Sequence, residues 1–149
     1  MGEDRSYIED NARELARLRG LVERLGESEL RRSASEDWTV AGVLGHIAFW
    51  DGRAFVLGQK LSGGVPFTPD DQEPDDVDWI NDAMSRFSHA MPPLEVARAA
   101  LRQAQDTDEL MAKLPPDRVY PGDPDSSLSA DRASHRAEHL DQIEAALGT

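Results

Sequence analysis

Two histidines, His135 and His139, stand four residues apart in SHRAEHLDQIEAAL. In a helix that spacing puts both on one face, with Cβ atoms about 5–6 Å apart, so the two imidazoles can converge on one ion. Gln142, Ile143 and Ala146 continue this face, whereas Arg136, Glu138, Asp141 and Glu144 are expected to point elsewhere. The pair thus sits on or beside an apolar stripe rather than among surface charges. A third histidine, His46, in WTVAGVLGHIAFWD, shares its face with Val43, Ile47 and Trp50 and also points inward. Three neutral imidazoles from facing helices can hold a divalent ion and leave coordination positions open for water or substrate. The competing reading of each ring is a hydrogen-bonded core histidine, and two histidines one helical turn apart are a short motif by themselves. His89 ends a helix beside Ala90-Met91-Pro92, where a C-terminal cap role suits it, and it is left out of the metal set.

Three further residues can be placed near such a site. Asn81 falls with Val77, Met84 and Ser88 on the inward side of its helix, where a buried amide needs partners; it either faces a cavity and contacts substrate or bonds neighbouring backbone. Trp50, one turn after His46, either walls the pocket or is plain core. Asp131, one turn before His135, either orients that imidazole or offsets the positive end of the helix dipole.

The elements that must position these residues read as helices. Residues 7–25 place Ile8, Leu15, Leu18, Val22 and Leu25 at spacings of three, four and seven, with Gly26 as the stop. Thr39 is a candidate N-cap for a second helix fading near Lys60. Residues 61–74 carry three prolines and two adjacent glycines and read as a long loop. Residues 75–91 resume helical spacing through Val77, Ile80, Met84 and Phe87, and Pro92-Pro93 precede a further helix over 94–114, with Pro93 suited to its first turn. An irregular stretch, 115–128, leads to a last helix capped by Ser129 and running to about Leu147. Five helical segments without strand alternation or internal repeat predict an all-α fold, one bundle of four main helices with the fifth segment as a shorter helix or connector.

The totals narrow the function. At 149 residues one domain over 1–149 is expected. Cysteine is absent, so any metal takes nitrogen or oxygen ligands and any reacting thiol arrives with a substrate. A formal charge of -13, with basic residues scattered among acids, argues against nucleic acid and anionic membranes, which bind by charge neutralisation. No stretch is expected to provide the ~20 apolar residues of a membrane span. MGEDRSYIED lacks the basic start and apolar run of a signal peptide, so a cytoplasmic location is expected.

Trp38-Thr39 seven residues before His46, then Trp50-Asp51, then His135, His139 and Gln142-Ile143 together resemble the DinB-like superfamily of metal-binding four-helix bundles. Within it the sequence resembles the branch containing the N-terminal domain of mycothiol-dependent maleylpyruvate isomerase, a likeness that DVDWINDAMSRFSHAMPPLEVARAAL also carries. The resemblance implies an up-and-down four-helix bundle of DinB type, with a long connection and a short extra helix. It also implies a divalent metal on His46, His135 and His139, zinc by default with nickel or iron as alternatives, and a homodimer. The isomerase carries a carboxylate at the position of His135, so this sequence follows the more general three-histidine form. With Thr149 as the last residue, the isomerase's additional C-terminal domain, and with it that specific activity, is not expected.

The function expected from this likeness is a metal-dependent transferase or isomerase-like enzyme. It would act on a small electrophile, with a low-molecular-weight thiol or water as nucleophile. The alternative is a non-catalytic protein that binds or sequesters a small molecule or metal for stress tolerance.

Overall fold

The computed structural model describes residues 5–115 and 128–148. Along the described chain run α1 (Ser6–Arg24), α2 (Glu27–Leu30), β1 (Ser33–Ser35), β2 (Trp38–Thr39), α3 (Val40–Ser62), a 3-10 turn (Pro69–Asp71), α4 (Asp78–Ala90), α5 (Pro93–Lys113) and α6 (Ala133–Leu147). The irregular stretch expected over 115–128 lies almost wholly outside the described residues.

Local chemistry explains most helix ends. The Thr39 Oγ1 accepts from the Gly42 N–H at 2.9 Å, starting α3 as expected. Pro93 occupies the first turn of α5, where its missing N–H costs nothing. Gly148, at φ +75°, closes α6 in the left-handed conformation that suits glycine. Gly26, expected to stop the first helix, instead begins the one-turn α2, and Leu25 turns extended to end α1. Ser129 does not cap the last helix, which begins at Ala133. There Asp131 accepts from the Ser134 N–H at 3.2 Å, and Asn11 of α1 accepts from the N–H groups of Arg132 at 2.8 Å and Ala133 at 2.9 Å. The cap is supplied across the bundle.

The four main helices are α1, α3, α5 and α6, with α4 the short extra helix, packed chiefly on α3. Pairings fix their directions. Gly45 lies against Val96 and Gly58 against Leu110 and Met111, so α3 and α5 run parallel; the long connection through α4 carries the chain back. Asp51 meets Arg132 and Arg136, and His46 meets His135, so α6 runs antiparallel to α3. A short hairpin is also present, β1 pairing antiparallel with β2, where no strand was expected; it spans too few residues to show alternation.

Two apolar clusters fill the bundle, one around Leu18, Leu44, Ile47, Ala100 and Leu140, the other around Tyr7, Leu57, Met111 and Leu128. Between them a polar layer crosses all four main helices through Asn11, Asp51, Thr107, Asp108 and Arg136. Arg136, expected to point away from the histidine face, is nonetheless fully buried.

Helix α4 departs from its apolar stripe. Of its residues only Ser88 is buried, and Phe87 is 69% exposed. Its last turn presses close on α3: a Cβ on Gly42 would lie 2.5 Å from His89 Nε2, and one on Gly45 would lie 2.6 Å from Ser88 Oγ. Helix α3 is also, contrary to the sequence expectation, long and apolar enough by composition to cross a membrane. Its 18-residue apolar window is 56% buried against the other helices, as befits the central element of a bundle.

Candidate metal centre

His46 lies in the second turn of α3, and the antiparallel crossing sets it opposite the first two turns of α6, where His135 and His139 share a face. The three half-buried rings meet. The His46 and His135 Nε2 atoms are 3.0 Å apart, and ring centroids stand 4.9 Å (His46–His135), 4.6 Å (His46–His139) and 4.6 Å (His135–His139) apart. One nitrogen from each ring lies within 4.8 Å of the other two. Ligands about 2.0–2.1 Å from a tetrahedral ion stand about 3.3 Å apart, so the nitrogen spacing fits a divalent metal after a small adjustment.

Protonation and orientation agree with that fit. Burial pushes the His46 imidazole down to about 4, the His139 ring adding to the effect and the Asn81 side chain opposing it. Burial likewise lowers His135 to about 3, helped by His139, His46, Arg132 and Arg136. Both rings are neutral at pH 7, the form that ligates. The His139 Nδ1–H donates to Gln142 Oε1 at 3.1 Å, which holds the ring and leaves Nε2 with its lone pair toward the cluster. The Nδ1 atoms of His46 and His135, on the side of each ring away from the 3.0 Å Nε2 contact, are buried with no protein partner, so packing rather than a hydrogen bond at Nδ1 orients those two rings. Among the described residues no carboxylate joins the cluster, so three protein ligands leave open positions.

Two cavities reach the histidines. One, of about 490 Å³, opens beside the hairpin and is lined by Trp38, Asp78, Asn81, Asp82, His46 and His139. The other, of about 600 Å³, opens toward the loop after α3, where Trp50, Arg53, Glu73 and Arg132 join all three histidines. Trp50 and Asn81 both line the second cavity, and the Trp50 Nε1–H donates to Asn81 Oδ1 at 2.9 Å. Asp131 lines it too, with its carboxylate bonded to Ser134 Oγ at 2.7 Å and to the Ser134 N–H rather than to His135, so it acts on the helix start. His89 stays outside the cluster. Its Nδ1–H donates to Ser85 O at 2.7 Å, while Nε2 reaches across to accept from the Thr39 N–H at 3.1 Å. It therefore ties α4 to the start of α3 instead of only capping its own helix.

Sequence reasoning missed several residues around the site. Trp38 stands edge-on to both His46, at 5.8 Å between centroids, and His89, at 5.7 Å. Asp51, within the Trp50-Asp51 pair, accepts from Arg132 Nε at 2.9 Å and Arg136 Nε at 3.0 Å, while Arg136 forks onto Asp108 at 2.7 and 2.9 Å. This ion cluster fixes α6 against α3 and α5 just beside His135. A signal existed for Arg132, which lies three residues before His135 on the histidine face. Arg53 likewise lies seven after His46. Burial pushes the Arg53 guanidinium down from its ordinary value, with Glu73 opposing and Arg132 adding to the shift.

No curated protein and no solved structure matches the chain significantly. A family model does, over residues 11–143, from within α1 to within α6 and including all three histidines, and on that match the chain belongs to the DinB superfamily.

Proposed function

We propose that the chain is a metal-dependent transferase or isomerase-like enzyme acting on a small electrophile, with a low-molecular-weight thiol or water as nucleophile. The observation that carries this reading is the cluster of three histidines without a fourth protein ligand among the described residues, opening into two cavities. When bound there, a divalent ion would polarise a carbonyl or lower the pKa of a thiol or water. The protein's own groups do the rest. Gln142 orients His139, Trp50 holds Asn81 at the wall, and Trp38 packs edge-on against His46. Without cysteine in the chain, a reacting thiol comes from outside. Mycothiol is the thiol that the likeness to the isomerase branch suggests, and zinc is the default ion, although imidazole suits nickel and iron as well.

The test has two stages. Metal content is measured on the purified protein and on a His135→Ala, His139→Ala variant; equal content in the two removes the metal reading. Turnover of electrophiles is then assayed with mycothiol, bacillithiol, glutathione and water. Failure across that panel, with metal bound, favours the sequestering role over the enzyme.

Pairing into a homodimer belongs to the same proposal. It is supported by an exposed apolar groove between α3, α4 and α5, where Phe49 is 41%, Phe87 69% and Met91 37% exposed. A strict monomer in sedimentation at micromolar concentration removes it.

A further inference from the structure

The cavity beside the loop after α3 carries charge that the metal reading does not use. Arg53 and Arg132 come from antiparallel helices, each on the face that carries the histidines, and both line this cavity. Arg132 is held rather than mobile: its side chain is 11% exposed and its Nε–H is fixed on Asp51 Oδ1 at 2.9 Å. Asp51 shares its other oxygen with Arg136, and Asp108 serves Arg136. Arg132 Nη1 and Nη2 therefore have no partner among the described residues. They form a planar pair of donors, oriented in advance, on the wall of the cavity that contains His46, His135 and His139. Arg53 keeps its Nη2 on Asp71 O at 2.7 Å and brings a second positive charge to the same wall.

The N-terminus of α6 borders the cavity, but it is not the attraction. Its Arg132, Ala133 and Ser134 N–H groups are taken by Asn11 and Asp131. Glu73 and Asp131 also line the cavity, so the two arginines face two carboxylates. That balance suits one singly charged, planar anion and disfavours a dianion such as phosphate.

We infer that this cavity binds a carboxylate on the substrate, seated on the Arg132 fork beside Arg53, with the reacting end of the molecule toward the three histidines. The inference rests on the metal-enzyme reading for its chemistry and narrows the electrophile to a small carboxylic acid anion. Arg132 is on this account a substrate-binding residue, and Glu73 a competing anion at the rim.

The test is a titration of the full-length zinc-loaded protein with sodium propionate, and separately with propionamide and inorganic phosphate. It is followed by the NMR cross-peaks of the Arg132 Nε–H and the Trp50 indole N–H. Propionate is expected to shift both saturably and propionamide neither. Arg132→Gln weakens propionate binding by about ten-fold or more, the loss of hydrogen bonds to a charged group. Glu73→Gln, on the rim and outside the buried ion cluster, tightens it roughly two- to three-fold. The His135→Ala, His139→Ala variant keeps the propionate response. Equal binding by wild type and a folded Arg132→Gln, no change with Glu73→Gln, a response lost in the histidine variant, or tighter binding of phosphate than of propionate would each overturn the inference. Metal content of the same samples reports on the metal reading separately: arginine-dependent propionate binding in a protein that holds no metal removes the enzyme reading and leaves the anion site.

Discussion

His46 and Asp51 stand five residues apart on α3, and His135 and Arg136 stand side by side on α6, so one helix crossing builds two polar clusters. They differ in completion. In the ion cluster, Asp51 accepts from two arginines, and Arg136 is spread over Asp51, Asp108 and the Asn11 carbonyl, while Arg132, at the edge of the cluster, lines a cavity that reaches the histidines. In the histidine cluster the His46 and His135 rings are neutral at pH 7, two Nδ1 atoms lack partners, and two cavities reach the rings. A saturated buried cluster can only hold helices in register, whereas an unsaturated one retains capacity for a ligand. The contrast gives the Asp51–Arg136–Asp108 core a structural role and leaves capacity for a ligand at the histidines and at Arg132 beside them.

The sharpest way to break that assignment is to remove Asp51. Asp51→Ala leaves Arg132 without a carboxylate and buried Arg136 with Asp108 alone, and is expected to cost about 3–5 kcal/mol in urea unfolding. A loss below about 1 kcal/mol would mean that the cluster is not what registers α6. The histidines should behave in the opposite way. His135→Ala, His139→Ala is expected to leave the unfolding midpoint of the metal-free protein close to that of wild type while abolishing the gain from added metal. For wild type that gain is about 2.7 kcal/mol at a free ion concentration near 100 times Kd. A similar gain in the variant would place the ion elsewhere.

Smaller changes refine the comparison. Gln142→Ala frees the His139 ring and should weaken metal binding about ten-fold, with little effect on unfolding, as read by competition with a chelating dye. Unchanged affinity would show that packing alone orients the ring. Asn11→Ala removes the cap that α1 provides to α6, and a loss of about 1 kcal/mol is expected. Because that cap starts the helix carrying both α6 histidines, a fall in metal affinity larger than the fall in stability would show that the two clusters are coupled through the helix start.

Much of the bundle was legible from residue spacing. The expected helices over 7–25, 94–114 and the segment begun by Thr39 correspond to α1, α5 and α3 because their stripes face one core, with the Thr39 cap starting α3 and Pro93 fitting the first turn of α5. Where the cap came from elsewhere, the reading slipped: Ser129 looked like an N-cap, but Asn11, distant in sequence, does that work. The stripe of α4 misled because Phe87 faces outward, while the α4–α3 contact is made through Ser88 and His89 against Gly45 and Gly42.

The histidines divide along the same line. By itself the sequence determined that His135 and His139 share a face, since four residues make close to one helical turn, and that no thiolate competes with imidazole. Likeness to a family suggested His46. Only the tertiary structure decided that α3 runs antiparallel to α6 and brings His46 Nε2 to 3.0 Å from His135 Nε2. It also decided that Arg136, one residue from His135, is buried. A helical wheel shows which direction a side chain takes but not how many directions are covered by neighbours. Helix α6 packs on both α1 and α3, so two of its faces are interior, and a charge can occupy one because Asp51 and Asp108 arrive from helices far along the chain to meet it.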